Sequence, residues 1–215
     1  LDGSVRVVLV TGRGRSFSAG LDKAMFTASG VPGQASLATV AGQDADSGQR
    51  QIARYQAGFG WLARPDIVSI AAVQGHAIGA GFQLALACDL RIAADDVSFA
   101  MAEVPLGLVP DLGGTRRLIE LVGYSRAMEL CLTGRPVRAA EAASIGLANR
   151  VVPVAELATA GQQTVAALLR SPRGAVIETK ALLLAAASNT QAQQEAAEGA
   201  AQYRLLRELA GLDSE

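Results

Sequence analysis

An α/β core followed by a helical C-terminal part is the fold class that this sequence predicts, on three observations. Strand-like and helix-like segments alternate through the first 150 residues, and almost pure helical periodicity fills the rest. An apolar strand from Ile67 to Val73, broken only by Ser69, feeds Gly75 to Asp89 (GHAIGAGFQLALACD), a glycine turn that opens an apolar helix. A similar pairing occurs earlier, where Val5–Thr11 runs through Gly12-Arg13-Gly14-Arg15 into the small-residue segment Ser16–Asp22. Side by side in a parallel sheet, two such units bring two sets of free backbone N–H groups to one sheet end.

The elements follow in order. Val5–Thr11 is Val-rich and reads as a strand buried on both faces. Thr27 to Gln49 is poor in large apolar groups and rich in Gly, Ser, Ala and Asp, which predicts a long loop, either a lid or surface filler. Ile52, Tyr55, Phe59 and Leu62 share one face of a helix over 52–63, closed by Pro65. After the central helix, Phe82 to Cys88, come short strands at Leu90–Ala93 and Ser98–Met101, then a Pro- and Gly-punctuated loop, Glu103–Gly114. Helices are predicted from Thr115 to Val122, from an N-cap at Ser125 to Leu132, and from Arg138 to Ile145, with a strand at Ala148–Val152. Three further helices, about 154–169, 173–187 and 191–210, complete the chain. The implied organisation is an α/β core over 1–150 and a helical region over 151–215 of the same domain.

Composition narrows the function classes. Half of the chain is hydrophobic and 18% is charged, so it is globular rather than disordered. A formal charge of −1 with no basic stripe gives no footprint for nucleic acid. No run reaches the roughly 18 uninterrupted apolar residues of a membrane span. Cys88 and Cys131 lie in apolar helical patterns without metal-type spacing, and read as thiols in a reducing, cytoplasmic setting. With a single histidine, no metal site is expected. The chain opens with Leu1-Asp2-Gly3, already close to a strand, and is expected to lack an N-terminal portion.

The glycine turn at 75–81 leaves N–H groups of a helix start pointing one way, aided by the positive end of the helix dipole. It can hold a phosphate or an oxyanion formed in acyl chemistry, or it can be a tight connection without a ligand. It has neither the dinucleotide G-x-G-x-x-G order nor a Walker Lys. Ser16 and Ser18 lack a nucleophile elbow, so a serine hydrolase is disfavoured. His76 is expected to make a structural hydrogen bond, and Phe82 and Phe99 to line the core or a pocket.

Several segments together resemble the crotonase superfamily, the enoyl-CoA hydratase/isomerase family. They are Phe17–Asp22 (FSAGLD), Ile70–Gly81 (IAAVQGHAIGAG), Cys88–Ala93 (CDLRIA), Gly107–Thr115 (GLVPDLGGT), Leu132-Thr133-Gly134 and Ala142–Ala148 (AASIGLA), in matching order and spacing over nearly the whole chain. The resemblance implies a ClpP-like crotonase fold with a repeated β-β-α core and a C-terminal helical oligomerisation region. It also implies an acyl-CoA thioester as partner and a homotrimer or homohexamer. No separate cofactor is implied, since coenzyme A is part of the substrate.

By the same resemblance, the backbone N–H groups of Leu21 and Ala80 form the oxyanion hole. Ala19, Asp22, Lys23, Gly79 and Gln83 lie against substrate or CoA, and Glu103 and Asp111 are the catalytic candidates. Typical hydratases of the family carry two glutamates where this chain has Gln83 and Glu103. Gln83 can orient water or a carbonyl but cannot take a proton. A glutamate at the position of Glu103, sometimes with an aspartate matching Asp111, serves the family's double-bond isomerases. Asp111 could equally cap the helix that follows. Isomerisation of an enoyl-CoA by a Glu103 proton shuttle is therefore the first expectation. Hydration of a 2-enoyl-CoA, or acyl-CoA binding without catalysis, is the alternative.

Overall fold

A computed structural model describes residues 2–27 and 29–212 of the chain. Strand β1 (Val7–Thr11) leads through a 3-10 turn at Lys23–Phe26 to helices α1 (Leu37–Ala41) and α2 (Ala45–Gly60). Two β-β-α units follow. The first is β2 (Val68–Val73), β3 (His76–Ile78) and α3 (Ala80–Ala87). The second is β4 (Leu90–Ala94), β5 (Ser98–Ala100) and α4 (Gly114–Val122), with a 3-10 turn at Val104–Leu106 before the helix. Then come α5 (Tyr124–Thr133), β6 (Val137–Arg138), α6 (Ala139–Ser144), β7 (Arg150–Val152) and the helices α7 (Leu157–Leu169), α8 (Arg173–Ala186) and α9 (Gln191–Leu209).

In each unit the first strand joins one sheet and the second joins another. The larger sheet has the order β1-β2-β4-β7, all parallel; the smaller has the order β3-β5-β6. Every residue of β2 is buried because the strand is covered on both sides. Ala71 and Val73 face one core cluster with Phe82 and Leu86 of α3, while Ile70 and Ala72 face a second with Leu157 and Ala160 of α7. This period-two division explains why the strand has no polar face.

Four local expectations are corrected. Residues 27–49 are not one long loop: they contain α1 and the start of α2, with Ala28 outside the described residues. Capping replaces apolar content there, since Ser36 Oγ accepts from Thr39 N at 3.1 Å and Asp44 Oδ1 from Ser47 N at 2.9 Å. The helix expected from Ile52 accordingly begins at Ala45, and its last turn is 3-10 at Trp61–Ala63. Ser125 is not an N-cap; α4 ends and α5 begins at Gly123, whose φ of 81° suits glycine. Finally, β1 is half-buried rather than enclosed, because it pairs only with β2 and lies at the sheet margin.

Among the described residues no helix is long and apolar enough to cross a membrane.

Candidate active site

The site begins where Ser16–Gly20 docks along β3. Phe17 N donates to Gln74 O at 2.9 Å, Ser18 N to His76 O at 2.9 Å, and Ile78 N to Ser18 O at 3.0 Å. Two glycines permit this approach. A Cβ on Gly81 would lie 2.6 Å from Ser18 O, and one on Gly20 would lie 2.7 Å from Ile78 O and 3.7 Å from Ala80 N. Gly20 thus brings the peptide of Leu21 beside the first residue of α3.

Neither Leu21 N–H nor Ala80 N–H donates to another described residue. The Ala80 donor also stands at the positive end of a helix. Two main-chain donors without a partner among the described residues, one from each glycine unit, thus flank the close approach of Gly20 to Ile78.

Glu103, at the end of the segment after β5, presents its carboxyl to this corner. A Cβ on Gly79 would lie 3.3 Å from Glu103 Oε1. The side chain is buried; Oε1 accepts from Gln83 Nε2 at 2.7 Å, and Oε2 has no hydrogen-bond partner among the described residues. Burial pushes the Glu103 carboxyl above the usual carboxylate range, Gln83 opposes the rise, and the charge of Asp111 adds to it. A buried carboxyl raised toward neutral pH, with one oxygen free to accept, suits a general base.

Gln83 is 1% exposed and its amide is committed at both ends. Besides the bond to Glu103, its Oε1 accepts from Leu112 N at 2.8 Å and Gly114 N at 3.3 Å. This tether has no sequence signal, because its partners are main-chain groups about thirty residues away. Asp111, in the tethered loop, is half-buried and does not cap α4, whose N-cap is Gly113 with no side-chain bond. Its carbonyl instead accepts from Gln56 Nε2 of α2 at 2.7 Å.

The residues around Leu21 are more open. Ala19, Leu21, Asp22 and Lys23 are exposed, and Asp22 Oδ1 accepts from Ala24 N at 2.8 Å, fixing the 3-10 turn. His76 is exposed at the far end of β3, with Nδ1 3.2 Å from Ser16 Oγ. Phe82 and Phe99 pack in the core as a tilted pair, with ring centroids 5.2 Å apart and planes at 40°. A cavity of about 550 Å³ lies elsewhere, between α8 and the C-terminal end of α3, and none of the predicted site residues lines it. No group of three or more metal-ligating side chains occurs among the described residues.

Two β-β-α units, two main-chain N–H groups without a partner among the described residues and a buried carboxyl against Gly79 together define a candidate site on a repeated β-β-α core. The enoyl-CoA hydratase/isomerase family profile matches residues 1–211, and the chain belongs to that family. It is 37% identical over 163 residues to the "Probable enoyl-CoA hydratase echA8" of Mycobacterium bovis, covering 76% of this chain and 57% of the relative. It is 36% identical over 182 residues to the peroxisomal Delta(3,5)-Delta(2,4)-dienoyl-CoA isomerase of Arabidopsis thaliana, covering 84% and 64%. The chain thus spans less than two thirds of the length of these curated relatives. Among solved structures, a protein of Thermobifida fusca YX crystallised in complex with CoA is similar at 53% identity and a TM-score of 0.92. That match covers 98% of this chain and 80% of the other. An enoyl-CoA hydratase from Bacillus anthracis is similar at 30% identity and a TM-score of 0.80, over 97% and 77%.

Proposed function

We propose that this chain acts on acyl-CoA thioesters and moves a carbon–carbon double bond from the β,γ to the α,β position. Glu103 Oε2 takes a proton from the carbon between the carbonyl and the double bond. The C–H electron pair becomes part of a dienolate whose negative charge rests on the thioester oxygen, and the N–H groups of Leu21 and Ala80 meet that oxygen. The same carboxyl returns the proton to the far end of the dienolate, which leaves the double bond conjugated. Asp111 assists as a second carboxyl, and Ala19, Asp22, Lys23 and Gly79 flank the pantetheine and thioester. No cofactor beyond the substrate's own CoA enters this scheme.

The observation that carries the reading is the unpartnered, buried Oε2 of Glu103, on a carboxyl that lies against Gly79 at the start of α3. Hydration is the second reading, favoured by the names of the Mycobacterium and Bacillus relatives. Gln83 counts against its simplest form, because the amide expected to hold water is already engaged by Leu112, Gly114 and Glu103.

The proposal includes a homotrimer or homohexamer, supported by exposed apolar side chains such as Leu106, Val109, Tyr124 and Leu132. It also includes a reducing, cytoplasmic setting, supported by two free thiols, Cys88 and Cys131. The chemistry is tested by incubating the protein with a 3-enoyl-CoA and a 2-enoyl-CoA in deuterated water, then following product mass and double-bond position. Bond migration that Glu103→Gln abolishes supports the isomerase. A 3-hydroxyacyl-CoA product overturns it in favour of the hydratase, and binding without turnover overturns both.

A further inference from the structure

We propose that Gln83 is a positioning residue that gives the two oxygens of Glu103 separate duties: Oε1 is held by the amide, and Oε2 is left to carry the proton. The inference rests on the reading of Glu103 as the base, and it concerns how that base is tuned.

The amide orientation follows from chemistry. Leu112 and Gly114 present N–H groups, which only donate, so the oxygen of Gln83 must face them and the nitrogen must face Glu103. The pose is also packed in place, since a Cβ on Gly114 would lie 2.8 Å from Gln83 Cγ. A fixed N–H donor on Oε1 has two effects. It stops the carboxyl from rotating, so one defined oxygen faces the reacting carbon. It also stabilises the ionised form, partly offsetting the desolvation that favours the protonated form.

The main-chain N–H groups of Ala102 and Glu103 also favour the anion, with less effect than Gln83, but no other side chain does. Helix α3 offers no ionisable side chain, and neither does the 3-10 turn at Val104–Leu106. Asp111 in the tethered loop pushes the carboxyl up. On α5 the Cys131 thiol, itself raised by burial and by Glu103, is the ionisable group that senses the carboxylate. The amide of Gln83 is the side chain that favours the anion.

Two substitutions separate the tether from the tuning. Gln83→Glu retains an acceptor for Leu112 and Gly114 but removes the donor to Glu103 and puts a second carboxyl against it. Gln83→Met removes both functions. With the full chain and a 3-enoyl-CoA, the acid limb of the kcat/KM profile is expected to move up by about one pH unit or more in Gln83→Glu. That corresponds to at least a roughly tenfold loss on the acid side, recovered as pH rises. Gln83→Met is expected to move the limb in the same direction and also to lower the plateau.

A readout independent of turnover is the infrared carboxyl band of Glu103, taken as the difference between each protein and its Glu103→Gln counterpart. Its midpoint is expected to rise when Gln83 becomes Met. Unmoved limbs and an unmoved band in folded variants overturn the proposal, as does a lower plateau with no shift, which marks a merely structural glutamine. Full turnover by Glu103→Gln overturns the base assignment instead, and the carboxyl titration still decides what Gln83 does to Glu103.

Discussion

Lys180, in the middle of α8, places Nζ 2.7 Å from Asp89 Oδ2 in the link between α3 and β4, 91 positions away in the chain. The ammonium also donates to Ile67 O at 2.7 Å, and Asp89 Oδ2 accepts from Ser69 N at 2.7 Å. One carboxylate therefore ties a C-terminal helix to the entrance of the central strand. The two side chains are 9% and 17% exposed, so the pair is largely shielded from solvent.

Removing the cation leaves a shielded Asp89 with only the Ser69 N–H and O–H as partners. Lys180→Met is expected to cost about 3–5 kcal/mol in urea unfolding, with little sensitivity to salt. A loss below about 1 kcal/mol would instead rank the pair with ordinary surface ion pairs.

Glu103 gives a prediction of opposite sign. Its carboxyl is raised in the folded state, so folding disfavours ionisation. Below the ordinary carboxylate range both states are protonated and no penalty applies. As pH rises, the unfolded chain ionises first, and folded stability falls until the folded carboxyl ionises too. Glu103→Gln is therefore expected to raise the melting temperature at neutral pH, with the gain vanishing near pH 4. The same substitution should lower turnover by about 10²–10⁴-fold, the usual weight of general acid–base catalysis. A melting-temperature difference independent of pH would contradict the first part.

Gly20→Ala tests the close approach that the two donors flank. The added Cβ must sit 2.7 Å from Ile78 O at a φ of 91°, so the segment has to shift. The expected result is a fall in kcat of about 10²–10³-fold, the weight of one oxyanion donor. The folded state should survive by circular dichroism. Unchanged kcat would mean that Leu21 N–H is not used.

The thiols supply a fourth test. Burial pushes Cys88 up to about 12, while Cys131 is half-buried and raised by burial and by Glu103. Native alkylation at pH 8 should label Cys131 well before Cys88. In Glu103→Gln, labelling of Cys131 should quicken, because removing the neighbouring charge favours the thiolate. Equal rates for the two thiols in the native state would contradict the burial argument.

Local pattern carried the reading of β2, the glycine turn, α3 and the C-terminal helices, since each announces itself within a dozen residues. The segment at 27–49 was misread because large apolar groups are few there, although Ser36 and Asp44 stood three residues ahead of the N–H groups they cap. At the site, the glycines and Glu103 stand out by residue type and order. The partners of Gln83 and Lys180 do not, because main-chain acceptors and donors brought in from distant segments leave no mark in the sequence.

A main-chain donor has no codon of its own. Every residue type except proline supplies an N–H at positions 21 and 80, so most mutations reach the two proposed donors through neighbouring glycines such as Gly20, Gly79 and Gly81. A changed side chain at 21 or 80 therefore alters what lines the wall of the candidate site while leaving both N–H groups in place.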